Sequence, residues 1–254
     1  DDPNSDFVQI GKIISVDPAL TLRLLKMVNS AFYGYRNQIE TVTHALGVVG
    51  TEQLMQLVLA TSVVGQFKGI PKDMINMEYF WRHSVACGLV ARTINEINSD
   101  SDGEKYFVAG LLHDIGRLVM CLKIPDQFRI AMDFASKSGD RWYKAEAKYF
   151  GFNHAGVGGA LLRAWNLPKR LQESVAHHHN PSAAKNYSHE ATVICLADYI
   201  SHEFTESPDE FTRGEIDPLL WKKLNLKEST HKSMIKEKVY FQLEEVSQVF
   251  LQTS

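Results

Sequence analysis

The stretch Ala109-Gly110-Leu111-Leu112-His113-Asp114-Ile115-Gly116-Arg117-Leu118-Val119 decides how this chain folds. Its apolar residues recur at three- and four-residue intervals, which predicts a buried helix over residues 104–122. A carboxylate inside such a segment costs free energy unless it is paired or bound to a cation. Neutral imidazole and carboxylate form a mixed nitrogen and oxygen ligand set that suits iron, manganese or zinc. His113 and Asp114 are therefore candidate metal ligands.

Helical spacing continues on both sides of this stretch, and no convincing alternating strand interrupts it. The sequence therefore predicts an all-α protein. Near the N-terminus, Asp17 is expected to cap a helix that has Pro18 at its first position and runs to Val28. Thr51 is expected to cap another, which ends near Phe67. Further helices are predicted over residues 7–14, 42–49, 78–97, 125–136, 142–150, 154–165, 169–178, 190–204 and 235–250, with polar connections at 98–103 and around Pro208 and Gly214.

Composition excludes several classes of protein. Of 254 residues, 44% are hydrophobic and 22% charged, as in an ordinary soluble globular protein. The 27 basic and 30 acidic side chains give a net charge of -3, so no bulk attraction to nucleic acid is expected. No apolar segment approaches the length of a membrane span, and no signal peptide is apparent. Three widely spaced cysteines in apolar segments, Cys87, Cys121 and Cys195, predict reduced core residues in a cytoplasmic protein.

Asp198 repeats the anomaly of Asp114, because it lies within the apolar run Val193-Ile194-Cys195-Leu196-Ala197-Asp198-Tyr199-Ile200. Histidines are also unevenly distributed. Six of the ten fall between residues 83 and 179, namely His83, His113, His154, His177, His178 and His179. Each one alone is explained as well by an ordinary core or surface position. Two buried aspartates together with clustered histidines favour a metal site.

The order of these residues resembles the HD superfamily of metal-dependent phosphohydrolases, on the residues His83, His113-Asp114, His154, His178-His179 and Asp198. The segment His113–Arg117 is similar to the HD-GYP branch, which usually has lysine in place of Arg117. That branch has a glutamate and then Gly-Tyr-Pro where this chain has Asn180-Pro181-Ser182-Ala183, and no glutamate stands one helical turn before His83. The resemblance therefore gives no support for cyclic-di-GMP specificity or for a third metal ion.

N-terminal motifs narrow the resemblance. Asp17-Pro18-Ala19-Leu20, Leu24–Ala31 and Ala45-Leu46-Gly47 are similar to the opening of HDOD domains. On these two groups of motifs, residues 1–204 are identified as a member of the HDOD family. The resemblance implies an HD-like bundle of helices, with an N-terminal helical part over 1–75 and a metal-site part over 76–204. Residues 205–254 lie outside the resemblance and are expected to form a C-terminal helical extension. Because residue 1 is not methionine and lies close to a predicted helix, the chain could be a piece of a longer protein.

The resemblance also implies a function, a cofactor and residue roles. HDOD domains imply a regulatory module in bacterial signalling, with a protein partner. The alternative is a metal-dependent phosphohydrolase acting on a nucleotide or cyclic dinucleotide. One or two divalent ions of iron, manganese or zinc would bind, with Asp114 bridging two ions and Arg117 holding the substrate phosphate. The implied metal ligands are His83, His113, Asp114, His154, His178, His179 and Asp198.

Structural alternatives remain open for several of these residues. Arg117 could equally pair with a carboxylate, since it lies three positions after Asp114. Asn29 is expected to bond backbone at the end of its helix. The apolar stripe of the last helix is expected to dock on its own domain, with a partner surface as the alternative. Solvent-exposed positions are expected for His44, His189, His202 and His231, and a surface or supporting position for His177.

Overall fold

A computed structural model of the protein describes residues 3–67, 69–98, 103–205 and 216–251. Within these ranges the secondary structure is helical and contains no strand, which confirms the predicted all-α class. Most of the connection predicted at residues 98–103 lies outside the described residues, as do Pro208 and Gly214. The chain divides into two compact units, residues 1–68 with 240–254 and residues 69–239. The predicted boundaries at 75 and 204 stay a prediction.

The first unit contains α1 (Pro3–Ile14), α2 (Pro18–Val28), α3 (Val42–Val49) and α4 (Thr51–Val64). Asp17 caps α2 as predicted, because its side chain accepts a hydrogen bond from the Leu20 amide at 3.0 Å. The prediction for Thr51 is wrong. Thr51 is the first helical residue of α4, and Gly50 precedes it with a φ of +96°, a conformation that suits glycine. Asn29 joins two parts of this unit by donating to the Leu25 and Ile39 carbonyls.

The second unit carries the candidate site. In chain order its helices are α5 (Met77–Ile97), α6 (Gly103–Leu112), α7 (Ile115–Lys123), α8 (Pro125–Ser138), α9 (Trp142–Phe150), α10 (His154–Ala164), α11 (Lys169–Ala176), a 3₁₀ turn at Pro181–Ala183, α12 (Ser188–Ser201) and α13 (Pro218–Lys223). The last helix, α14 (Glu228–Leu251), contributes residues to both units. Its stripe is buried as predicted, at Ile235, Val239, Leu243, Val246 and Phe250. All three cysteines are buried and free.

The single helix predicted over residues 104–122 is interrupted at His113 and Asp114. The first part ends at Leu112 and the second begins at Ile115. On a continuous helix, adjacent side chains would point about 100° apart. In the observed turn, His113 Nε2 lies 3.6 Å from Asp114 Oδ1. The break therefore brings two neighbouring residues into the same site.

Glycines allow the ligand-bearing helices to approach closely. A methyl group on Gly110 of α6 would lie 2.7 Å from the Cα atom of Gly88 on α5. One on Gly116 of α7 would lie 2.0 Å from the His154 carbonyl oxygen at the start of α10. Carbon and oxygen atoms in ordinary contact are more than about 3 Å apart. Only glycine fits at these contacts without moving a helix.

Candidate metal centre

All seven predicted ligands lie in the second unit, and the structure brings them together. Three helices and two turns supply them: α5 carries His83, the α6–α7 turn carries His113 and Asp114, α10 begins with His154, the turn after α11 carries His178 and His179, and α12 carries Asp198. His179 is half-buried, and the side chain of Asp198 is 13% exposed. The other five residues are buried. The cluster is thus nearly shielded from water.

One half of the cluster forms around Asp114. Its Oδ1 atom lies 3.0 Å from His154 Nε2 and 3.8 Å from His178 Nε2. His179 Nε2 lies 2.8 Å from His154 Nε2. These four residues can each offer one ligand atom within 4.8 Å of the others. Nitrogens that share one ion at about 2.1 Å in tetrahedral or octahedral geometry lie roughly 3.0–3.4 Å apart. The separations in this half are of that order.

The other half forms around Asp198. Its Oδ1 atom lies 3.1 Å from His83 Nε2 and 3.4 Å from His113 Nε2. His113 also lies 3.6 Å from Asp114 Oδ1, so it connects the two halves. Contacts between His83 and Asp198 join residues that are 115 positions apart in the chain. The packing of α5 against α12 therefore assembles this half.

Backbone and side-chain acceptors determine which ring nitrogens carry protons. His113 Nδ1 is 2.7 Å from the Gly110 carbonyl, and His178 Nδ1 is 2.8 Å from the Val175 carbonyl. A carbonyl oxygen only accepts, so Nδ1 donates in both cases. In the neutral imidazoles the Nε2 atoms then hold lone pairs directed towards the aspartates. This arrangement is typical of metal-binding histidines.

The donor set fits a divalent cation. The Nε2 atoms of His113 and His178 are buried and make no hydrogen bond, although each lies within 4 Å of an aspartate oxygen. Lone pairs that face carboxylate oxygens repel them unless a positive charge lies between. A first-row divalent ion supplies that charge and accepts imidazole nitrogen and carboxylate oxygen together.

The pKa shifts of Asp114, Asp198 and His178 favour ion-binding protonation states. Burial alone would raise the pKa of the Asp114 carboxyl, but His113, His154 and Arg117 outweigh it and hold the pKa well below its usual range. The pKa of Asp198 is likewise held well below its usual range, because the effect of burial is outweighed by the neighbouring imidazoles of His113 and His202. Burial, reinforced by the neighbouring imidazoles, lowers the pKa of His178 to about 4. Two ionised carboxylates and a neutral imidazole therefore face each other at pH 7.

Arg117 is engaged within the protein. Its Nη1 donates to Asp114 Oδ2 at 2.9 Å, and its guanidinium lies 4.2 Å from the centre of the Trp142 ring. Only 14% of its side chain is exposed. The structure thus shows the carboxylate pairing that the sequence left open. A contact between Arg117 and a substrate phosphate stays a prediction.

Glu146 is part of the site and was missed by sequence reasoning. Its side chain is 3% exposed, and its Oε2 accepts hydrogen bonds from His154 Nδ1 at 2.6 Å and from the His154 amide at 2.8 Å. Burial would raise its pKa, but His154 lowers it overall. Such a carboxylate fixes the tautomer of a ligand histidine and increases its basicity. The available signal was a charged residue between two alanines, Ala145 and Ala147, on the short helix α9.

His202 was predicted to be solvent-exposed, and that prediction is wrong. Its side chain is 19% exposed, and its Nε2 lies 3.3 Å from Asp198 Oδ1. Residues four apart share one helix face, and His202 follows Asp198 by four positions at the end of α12. The four-residue spacing from Asp198 was the signal in the sequence that places His202 at the site. His44 and His189 are exposed as predicted, whereas His231 is half-buried and accepts from the Lys227 amide.

Comparison with known proteins places the chain in a family. The sequence profile of the HDOD domain matches residues 1–181. The chain belongs to the HDOD domain family. A curated relative, an uncharacterised protein of Treponema pallidum (strain Nichols), is 25% identical over 200 residues, which are 78% of this chain. This HDOD chain spans only 38% of the length of that relative.

Solved structures share the fold of this HDOD domain. An HDOD domain protein of unknown function from Geobacter sulfurreducens has a TM-score of 0.77 at 20% identity, covering 100% of this chain and 88% of its own. A "putative signal transduction protein" from Marinobacter aquaeolei VT8 has a TM-score of 0.72 at 16% identity, and the match covers 96% of this chain and 55% of that protein. A "putative metal-dependent phosphohydrolase" from Shewanella amazonensis SB2B has a TM-score of 0.65 at 17% identity, and the match covers 98% of this chain and 86% of that protein. None of the described helices is long and apolar enough to cross a membrane.

Proposed function

We propose that this HDOD domain is a regulatory module of bacterial signal transduction that holds one or two divalent ions in an HD-type site. The observation that carries the proposal is the convergence of imidazole nitrogens on two aspartates, Asp114 and Asp198. The ligands are those around Asp114 and Asp198, and the metal is iron, manganese or zinc because imidazole nitrogen dominates the set. The signal-transduction protein with the same fold supports the regulatory part. The protein partner belongs to this proposal, as does a cytoplasmic setting, with which buried free cysteines are consistent.

Each residue has a distinct task in this site. Asp114 Oδ1 is near ligands of both halves, so it would bridge two ions. Arg117 holds the other oxygen, Oδ2, and thereby fixes the carboxylate plane. Glu146 holds His154 with its Nε2 facing inward. Backbone carbonyls orient the imidazoles of His113 and His178, so these parts of the site are organised before an ion arrives.

A second candidate function is phosphohydrolysis of a nucleotide or cyclic dinucleotide. A bound divalent ion lowers the pKa of water and polarises a phosphoryl oxygen. The observation that favours this candidate is that two halves share Asp114, as an arrangement for two ions requires. Asp114 would orient the nucleophile, and Arg117 would hold the phosphate. The phosphohydrolase with the same fold supports the same chemistry.

Metal analysis tests the first part of the proposal. Protein purified without chelator, and again after anaerobic dialysis against ferrous or manganous ion, is expected to contain about one or two ions per chain. Asp114→Ala should lose most of this metal, because the carboxylate shared by both halves is gone. Asp126→Ala, which removes an exposed aspartate on α8, is the matched control. Unchanged metal content in folded Asp114→Ala protein would contradict the proposal.

A hydrolysis panel separates the two functions. The metal-loaded protein is tested against cyclic dinucleotides, nucleotides and a generic phosphodiester beside the Asp114→Ala variant. Turnover above the variant supports the phosphohydrolase. If metal is bound and no substrate is turned over faster than by the variant, the regulatory function is favoured.

A further inference from the structure

We propose that His202 is an additional metal ligand, which adds a third imidazole to the half of the site around Asp198. The inference rests on the proposed metal site and goes beyond it, because His202 lies outside the pattern of histidines that predicted that site. If it holds, the Asp198 half binds its ion through His83, His113, His202 and Asp198, next to the shared Asp114.

Three imidazole nitrogens converge on a single oxygen atom. The Nε2 atoms of His83, His113 and His202 lie 3.1, 3.4 and 3.3 Å from Asp198 Oδ1. The rings of His83 and His202 are stacked, with centroids 4.5 Å apart and an angle of 22° between their planes. Ligand atoms of His83, Asp198 and His202 all lie within 4.8 Å of one another. These separations are of the order expected between atoms bound to one ion.

Hydrogen bonding alone does not explain this convergence. Ser201 Oγ donates to the Asp198 carbonyl at 2.7 Å, so it accepts from His83 Nδ1 at 3.3 Å. His113 Nδ1 donates to the Gly110 carbonyl. With Nδ1 protonated in both neutral rings, the two Nε2 atoms present lone pairs to a carboxylate oxygen. A cation among the three nitrogens and Asp198 removes this conflict.

The extra imidazole has a chemical consequence. A half-site with three nitrogen donors and one or two carboxylates favours first-row transition metals over magnesium or calcium, which prefer oxygen ligands. We therefore expect this half to retain manganese or cobalt in the presence of excess magnesium. The preference of this half of the site for manganese or cobalt over magnesium should weaken when His202 is replaced.

Ion counting on matched variants tests the role of His202. The full chain and its His202→Ala, His202→Gln and His189→Ala variants are dialysed against buffered Co²⁺, and bound metal is measured by mass spectrometry and visible absorption. His189 lies on the same helix and is exposed, so its loss should change nothing. His202→Ala should weaken one of two ions at least tenfold, since even outer partners of ligands contribute 10–100-fold to metal affinity. The visible spectrum of the bound cobalt should change as well.

The glutamine variant separates a ligand from a positioning residue. Its amide N–H can still hydrogen-bond Asp198, but an amide is a poor substitute for imidazole as a ligand. Rescue of cobalt affinity by His202→Gln would overturn the proposal in favour of a positioning role. Unchanged affinity and spectrum in His202→Ala would also overturn it. If the unmodified protein binds no metal, the proposed function itself is refuted. This result differs from failure of the His202 proposal alone, because the His189→Ala control would then bind no metal either.

A second measurement needs no variant. In the cobalt-loaded protein, each ligand imidazole gives a hyperfine-shifted ring N–H proton resonance. Six histidines lie in the candidate ligand groups, namely His83, His113, His154, His178, His179 and His202. Six shifted imidazoles support the proposal, and five or fewer with two ions bound overturn it.

Discussion

Gly116→Ala should open the contact between α7 and α10. The added methyl carbon would lie 2.0 Å from the His154 carbonyl oxygen, 2.7 Å from the Gly158 amide nitrogen and 2.9 Å from the His154 carbonyl carbon. These are backbone atoms within a helix, so they cannot rotate away as a flexible side chain could. The helices must separate by more than about 1 Å to restore ordinary contact.

The expected loss of stability follows from two opposing effects. Forcing an extra methyl group into a packed contact costs about 1–3 kcal/mol, and an immovable backbone places this case at the upper end. Replacing glycine in a helix with alanine returns up to about 1 kcal/mol. The net change is about 2 kcal/mol, which lowers the Tm by about 4–8 °C for a domain of this size. His154 also moves away from Asp114, now 3.0 Å distant, so metal affinity should fall as well.

Thermal unfolding followed by circular dichroism measures the first effect, and equilibrium dialysis against Mn²⁺ measures the second. The matched control is Gly156→Ala on α10, the helix that Gly116 of α7 packs against. Gly156 is exposed, and a methyl group there would meet only Asn153 Oδ1, at 3.8 Å. Its Tm should be unchanged or slightly raised. The reasoning fails if Gly116→Ala is as stable as Gly156→Ala and binds the same amount of metal.

Three further predictions concern the site. Glu146→Gln should lower metal affinity about 10–100-fold while the protein stays folded, because His154 loses the carboxylate that orients it; chelator competition measures this, and unchanged affinity contradicts it. Metal binding at pH 7 should release a proton from His154. Burial lowers the pKa of His154, but Glu146 and Asp114 outweigh this effect and raise the pKa to about 9. The imidazole must lose that proton to bind metal, so metal affinity should rise with pH up to about 9. Calorimetry in buffers of different ionisation enthalpy detects the proton, and a buffer-independent enthalpy argues against it. Arg117→Met should destabilise the metal-free protein by about 1–3 kcal/mol because Asp114 Oδ2 loses its buried donor. Added metal should restore part of this stability. Equal denaturation midpoints for the unmodified protein and the Arg117→Met variant would contradict this prediction.

Sequence patterns predicted features that depend on neighbours in the chain. Apolar spacing of three and four residues predicted the helices because each helix must bury one face. Asp17 and Pro18 predicted the start of α2 because a cap and its helix are adjacent. A carboxylate in an apolar run, as at Asp114 and Asp198, indicated a buried charge that needs a partner.

Only the tertiary structure decided how these elements meet. The turn at His113 and Asp114 lies in a segment whose periodicity predicts one unbroken helix, since spacing alone does not report a change of direction. Glu146 joins the site because the start of α10 lies beside α9, and no pattern within α9 specifies that neighbour. His202 reaches Asp198 by local spacing, but its proximity to His83 depends on α5 packing against α12. The sequence determined which side chains needed partners, and the packing of helices distant in the chain determined which partners they found.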